Sequence, residues 1–270
     1  MNSIAILKKT LALLAGAAVI VFAIAGCHRN EIARTTMAEQ LPPSALPTLV
    51  KRTAPSVAVP SYKPTPIPVT PVPPGGVSAE DLEFVVTHQP IARQTGVASW
   101  YGAPYKGRKA ANGQIFDDEA MTAAHRTLPM GSLIKVTNLK TGQSGVMRIT
   151  DRGPFVKGRV IDLTVEAAKA TGIYLAGWAQ VRIDVYQTPK PISTGGRWCV
   201  QIGAFLSEPE ALRMKTELER EYRDAQLIEF PGVDGYWVRI RPEGDDREMA
   251  EYIASHLHPS EGEAFLTRLD

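Results

Sequence analysis

Hydrophobic and polar positions change rhythm three times along this chain. Lys8 and Lys9 precede an apolar run over residues 11–25, which stops at Gly26-Cys27. A basic start, an apolar stretch and small residues before a cleavage point describe a secretory signal, here residues 1–27. The run is short for a membrane span, which needs about 20 apolar residues. Residues 41–76 then hold 11 prolines in 36 positions. Proline fixes φ and removes backbone donors, so neither helix nor sheet propagates. The segment predicts a polyproline II spacer rising about 3.1 Å per residue, with a reach on the order of 100 Å. The expectation is a disordered, proline-rich linker over 28–94; a PxxP ligand for a partner is the other reading.

From 95 to 188 the pattern is mostly β. Residues 97–101, 133–138, 145–150, 160–163 and 179–186 are short β-prone runs bounded by Gly, Asn or Pro turns. Val181, Ile183 and Val185 alternate with Arg182 and Asp184, as on a half-buried strand. One helix interrupts them, capped by Thr164 and closed by Gly172. Several short strands with one helix suit a small closed barrel.

Gly195-Gly196 marks a boundary, and residues 197–270 follow a different order. A strand over 198–204 precedes Ser207-Glu-Pro-Glu210, a capping-box signature with proline in the first turn. Ala211, Met214, Leu218 and Tyr222 form the buried stripe of that helix. Strands at 225–230 and 236–241, a helix from Asp245 or Asp246 with Met249, Ile253 and Leu257 inward, and a strand at 264–268 complete βαββαβ. That order predicts a two-layer sandwich with helices on one sheet face. Val200, Ile202, Val238 and Ile240 point to the helices. Gln201, Trp237, Arg239 and Arg241 are left on an open face, where a ring can stack on pyranose C–H groups and donors can meet hydroxyls.

The net charge of +2 is unevenly spread. Residues 1–94 carry 8 Lys/Arg against 5 Asp/Glu, residues 95–194 carry 13 against 7, and residues 195–270 carry 9 against 16. Opposite signs on successive segments fit separate modules. No long basic run tracks a phosphate backbone, which argues against nucleic acid as a partner. With Cys27 at the signal's end, Cys199 stands alone as a quiet thiol and no internal disulfide forms.

Candidate chemistry concentrates between Gly96 and Thr164. Asp151 ends an apolar strand in TDRGPF, beside Arg152. Asp162 lies between Ile161 and Leu163, where burial raises a carboxyl pKa and keeps it protonated. His125 is the one histidine in this stretch, suited to orient a carboxylate or to meet a developing oxyanion. No second His or Cys sits at metal-ligand spacing, so no metal is expected.

The runs GVASWYG, AANGQIF, TAAHRTLPMGS, TDRGPF and RVIDLT closely resemble the double-psi β-barrel of the rare lipoprotein A (RlpA) family. Those are cell-envelope lipoproteins that cleave the glycan strands of peptidoglycan. WCVQIGAF and GYWVRIRPEG resemble the SPOR domain, which in its family binds septal glycan stripped of stem peptides. The resemblance, not the periodicity, implies a six-stranded double-psi β-barrel (95–188) followed by a ferredoxin-like βαββαβ SPOR sandwich (197–270), a β plus α/β fold class. Ile24-Ala-Gly-Cys27 resembles the bacterial lipobox, and His28 in place of Asp implies the outer membrane, facing the periplasm.

The implied activity is endolytic lytic transglycosylation of MurNAc–GlcNAc bonds in strands lacking stem peptides, at the division septum. A hydrolase employs two carboxylates; a transglycosylase takes its attacking hydroxyl from the substrate, so one carboxyl serves first as acid and then as base. The resemblance places Asp151, Asp162 and His125 in the catalytic set, with Gln114, Ser99, Trp100, Tyr101 and Arg152 binding substrate. It places Gln201, Trp237, Arg239 and Arg241 on the SPOR glycan surface, and lipid on Cys27. Ser99-Trp-Tyr101 resembles the TWYG motif of expansins, and IDLT their HFDLS motif. Where the family reads ANGE, this chain reads Ala111-Asn-Gly-Gln114. An amide cannot exchange a proton near neutral pH. That departure keeps a second expectation alive: a non-catalytic, expansin-like glycan-binding or wall-tethering lipoprotein. No cofactor is implied. The expected partners are peptidoglycan and, through the lipid, the membrane; divisome partners stay open.

Overall fold

The computed structural model describes residues 73–223, 225–232 and 235–270. Cys27, the signal segment and most of the proline-rich stretch lie outside the described residues.

The linker expectation needs correction at its end. Residues Ala79–Thr87 form helix α1. No proline falls between Pro74 and Pro90, and Ser78 with Asp81 builds a capping box there. The Ser78 hydroxyl accepts the Asp81 N–H at 3.2 Å, and the Asp81 carboxylate accepts the Ser78 N–H at 3.0 Å. Asp81 also takes two hydrogen bonds from Arg148, at 3.0 and 2.5 Å, which fasten the helix to the barrel.

The barrel comprises β1 (Ala92–Trp100), β2 (Thr122–His125), β3 (Leu133–Asn138), β4 (Ser144–Asp151), β5 (Arg159–Leu163) and β6 (Ala179–Gln187). It closes in the order β1-β5-β2-β4-β3-β6. The β1–β5 and β2–β4 pairs are parallel and the others antiparallel, as the double-psi barrel requires. Strand β1 starts five residues earlier than the sequence pattern suggests, because Ala92 already pairs with Val185. Alternate residues fill the interior: Ala98, Ala123, Ile134, Val136, Met147, Ile149, Ile161, Leu163, Val181 and Ile183 are all sealed from solvent. Burying each large aliphatic side chain contributes roughly 1.5–3 kcal/mol. Helix α2 (Val165–Ala170) follows β5, with Thr164 as its cap.

The C-terminal domain is β7 (Trp198–Phe205), α3 (Glu208–Glu221), β8 (Gln226–Pro231), β9 (Tyr236–Arg241), α4 (Arg247–His256) and β10 (Glu263–Arg268). Its antiparallel sheet runs β10-β7-β9-β8. Val200, Ile202, Val238 and Ile240 pack under the helices with Ala211, Met214 and Leu218. Met249 does not join them. Asp246 caps α4 by accepting the Met249 N–H at 2.8 Å, and this phase turns Ala250 and Ile253 inward while Met249 stays 49% exposed.

The opposite sheet face is not open. Gln201 and Trp237 are 4% and 6% exposed, because the barrel's 153–156 turn lies against that face within the same compact unit. Phe155 wedges between Trp237 and Phe265, with ring centroids 5.3 and 5.8 Å away. Arg126 sits over the Phe265 ring at 5.5 Å, and the Arg126 carbonyl accepts the Arg268 N–H at 2.9 Å. An isolated domain would leave this face wet; the partner domain covers it.

Candidate active site

Strand β2 lies between β4 and β5, and its register is the key to the site. Ala124 pairs with Asp151 on one side and with Asp162 on the other. Ser99 of β1 is next in the row, opposite Asp162. Since Ala123, Ile161 and Leu163 point into the barrel, the alternation of a strand sends Ala124 and Asp162 outward. Two strand spacings separate the acid-bearing Cα atoms, about 10 Å. Between them Ala124 raises only a methyl group, so a sugar ring has room above it.

The cleft over this row has a volume of about 480 Å³, within the usual range of ligand pockets. Its lining includes Tyr101, Tyr105, Lys109, Asp151 and Asp162. Tyr101 is held by Phe116 and Tyr105, with ring centroids 4.7 and 5.5 Å away. Its hydroxyl is shielded and has no hydrogen-bond partner. Burial, then the nearby Asp151 and Asp162, hold its pKa well above the ordinary phenol value, so it stays an O–H donor.

The two aspartates have different surroundings. Asp162 Oδ2 lies 3.2 Å from the Arg159 guanidinium, whereas its Oδ1 is buried with no hydrogen-bond partner. Burial pushes its pKa up to about 6, against the pull of Arg159 and Arg126. Asp151 Oδ1 accepts the Ala111 and Arg152 N–H groups at 2.9 and 2.8 Å. Burial raises its pKa too, but these two bonds favour its anion. Asp162 is therefore the proton holder and Asp151 the better-supported negative charge.

Several residues expected at the site are elsewhere. His125 is 3% exposed and is absent from the cleft lining. Its Nδ1 accepts the Thr127 and Leu128 N–H groups at 3.1 and 3.0 Å, so Nε2 carries the proton toward the Gln94 amide oxygen at 3.0 Å. Burial, then Arg152 and Arg126, push its pKa down to about 3, leaving a neutral ring that braces a turn. Trp100 packs on the barrel core and on Tyr174, at 4.8 Å between centroids. The Ser99 hydroxyl is spent on the Gly177 carbonyl at 2.9 Å.

Arg152 borders the cleft, yet its guanidinium donates to the carbonyls of His125, Leu128, Arg268 and Asp270. It staples the two domains together at the edge of the cleft. Gln114 lines a neighbouring cavity of about 210 Å³ with Pro73 and Thr150, and its amide oxygen accepts from Asn112 at 2.6 Å. Of the four C-terminal residues, Gln201 and Trp237 line the main cleft. Arg239 donates to the Gln201 amide oxygen at 2.9 Å, and Arg241 forms a two-pronged ion pair with Asp245 at 2.7 Å. Buried Cys199 has its pKa pushed up to about 11 by burial and stays a thiol.

Sequence reasoning missed Ala124, Tyr105, Arg159 and Phe155. Arg159 had a readable signal, three residues before an acid on a strand; the others depend on pairing across the barrel.

Residues 93–183 match the family model described as lytic transglycolase, and residues 194–268 match the one described as SPOR domain. Fold and site thus define the class: a double-psi barrel of the lytic transglycolase type joined to a SPOR domain. The chain is 58% identical over 92 residues to the probable endolytic peptidoglycan transglycosylase RlpA of Synechocystis sp., covering 34% of this chain and 29% of that one. The endolytic peptidoglycan transglycosylase RlpA of Vibrio cholerae is 51% identical over 98 residues, covering 36% and 37%. That of Campylobacter jejuni is 33% identical over 183 residues, covering 57% and 66%. The chain belongs to the rare lipoprotein A family. It spans 29% to 66% of the length of these three curated relatives.

Proposed function

We propose that this protein is an endolytic lytic transglycosylase that cuts MurNAc–GlcNAc bonds in peptidoglycan strands lacking stem peptides. The reading rests above all on the buried, unpartnered Oδ1 of Asp162, which keeps a proton near pH 6 in the same cleft as ionisable Asp151. As the C1–O4 bond breaks, Asp162 gives its proton to the leaving GlcNAc O4. Asp151 stabilises the positive charge growing at C1. The muramyl O6 then attacks C1, and its proton returns to the Asp162 carboxylate, which closes the 1,6-anhydro ring and restores the acid. The same proposal has Cys27 lipidated, the protein on the outer membrane facing the periplasm, and the molecule enriched at the septum.

The test is the chemistry of the ends. Denuded glycan incubated with the intact chain should acquire 1,6-anhydromuramyl ends by mass spectrometry. Reducing ends instead would mean hydrolysis. Gln114 in place of the family Glu favours the second reading, a glycan binder that does not cut; uncut strands with measurable binding would establish that one.

A further inference from the structure

The wall of the cleft facing Asp151 and Asp162 comes from the other domain. Gln201, Ala204, Gly232 and Trp237 line the same space as Tyr101, Lys109 and the two acids. We infer that the SPOR sheet face is not a separate docking surface but the second half of the catalytic groove, so that one glycan segment touches both domains at once. This rests on the glycan-cutting reading for the identity of the ligand.

Three observations carry it. The first is position: the residues that a free sheet would offer to sugar, Trp237 and Gln201, border the acids' cleft instead of solvent. The second is fixation. Arg152 ties the carbonyls of His125 and Leu128 in the barrel to those of Arg268 and Asp270. The Asp270 carboxylate is gripped in turn by Lys190 at 2.5 Å, the Arg197 N–H at 3.0 Å and Arg268 at 2.9 Å. A wall held by buried charge-assisted bonds keeps its distance from the acids, as a binding wall must.

The third is the shaping of Trp237 itself. A Cβ at Gly203 would lie 2.8 Å from its indole, and one at Gly232 would lie 2.5 Å from Nε1. Only glycine lets the neighbouring backbone close on both sides of the ring and set its attitude toward the cleft. The lining as a whole pairs aromatic rings with the Gln201 amide, the two carboxylates and the cationic side chains of Arg108, Lys109 and Arg159. That mixture suits a hydroxyl-rich ring that also carries a carboxylate, as muramic acid does once its stem peptide is gone.

A denuded tetrasaccharide, too short to bridge two separate sites, distinguishes the cases. Its binding is measured by calorimetry on the intact chain carrying Asp162→Asn, which prevents turnover. The composite groove predicts one site per chain, weakened about tenfold by Lys109→Ala on the barrel and about tenfold by Gln201→Ala on the sheet. Trp237→Phe, which keeps an aromatic volume, should weaken the same event if Gln201→Ala proves unfolded by circular dichroism. Two sites per chain, no binding, or a barrel-side event indifferent to both sheet variants would overturn the inference. Tight single-site binding by the Asp162→Asn chain, alongside a parent chain that never yields anhydro ends, would sink the cutting reading and leave the shared groove standing.

Discussion

Asp162→Asn should make the protein inactive and, above about pH 6, more stable. The folded state holds this carboxyl at about 6 instead of 3.8. It therefore binds more protons than the unfolded chain across that window, and stability must fall as pH rises through it. Below about pH 3 both states are protonated and the penalty vanishes; above about pH 7 the penalty is complete. A rise of this size corresponds to about 3 kcal/mol. The pull of Arg159 is already included, since it opposes the rise. Asparagine copies the neutral acid in shape and never ionises, so the variant escapes the loss. Urea unfolding of both proteins at pH 4 and pH 7.5, followed by circular dichroism, should show the variant gaining about 2 kcal/mol on the parent between the two conditions. Its yield of anhydro ends should drop about 100-fold or more. In the parent, the rate should decline above about pH 6 as the acid loses its proton. A stability difference that stays constant with pH, or a variant that loses ground at pH 7.5, would refute the assignment of Asp162 as the strained proton donor.

His125→Gln should lower stability by about 1–3 kcal/mol, because the Thr127 and Leu128 N–H groups lose a buried acceptor. The shape of the pH–rate profile should survive; a lost limb would restore His125 to the proton-transfer chain. Gln114→Glu should leave the yield of anhydro ends within about threefold, since this side chain borders the neighbouring cavity rather than the acids' cleft. A tenfold gain in the product assay would bring that cavity into the reaction.

The sequence alone carried the domain rhythm, the caps and both acids. Strand alternation at Val181, Ile183 and Val185, the Ser207–Glu210 box and the Thr164 cap all depend on neighbours two to four residues away, so they are legible from spacing. Helix α1 escaped notice because proline density masked its Ser78–Asp81 box. Strand β2 escaped because four residues with two alanines show no period.

Tertiary structure decided the rest. Asp151 and Asp162 share a row only because β2 runs between their strands with Ala124 as common partner. Their roles part because one carboxylate meets two N–H groups while the other keeps an oxygen unpaired in the dark of the fold. The sheet face that alternation left open is covered by the 153–156 turn of a different domain. Pairing partners, burial and protonation come from residues distant along the chain, and local periodicity holds no information about them.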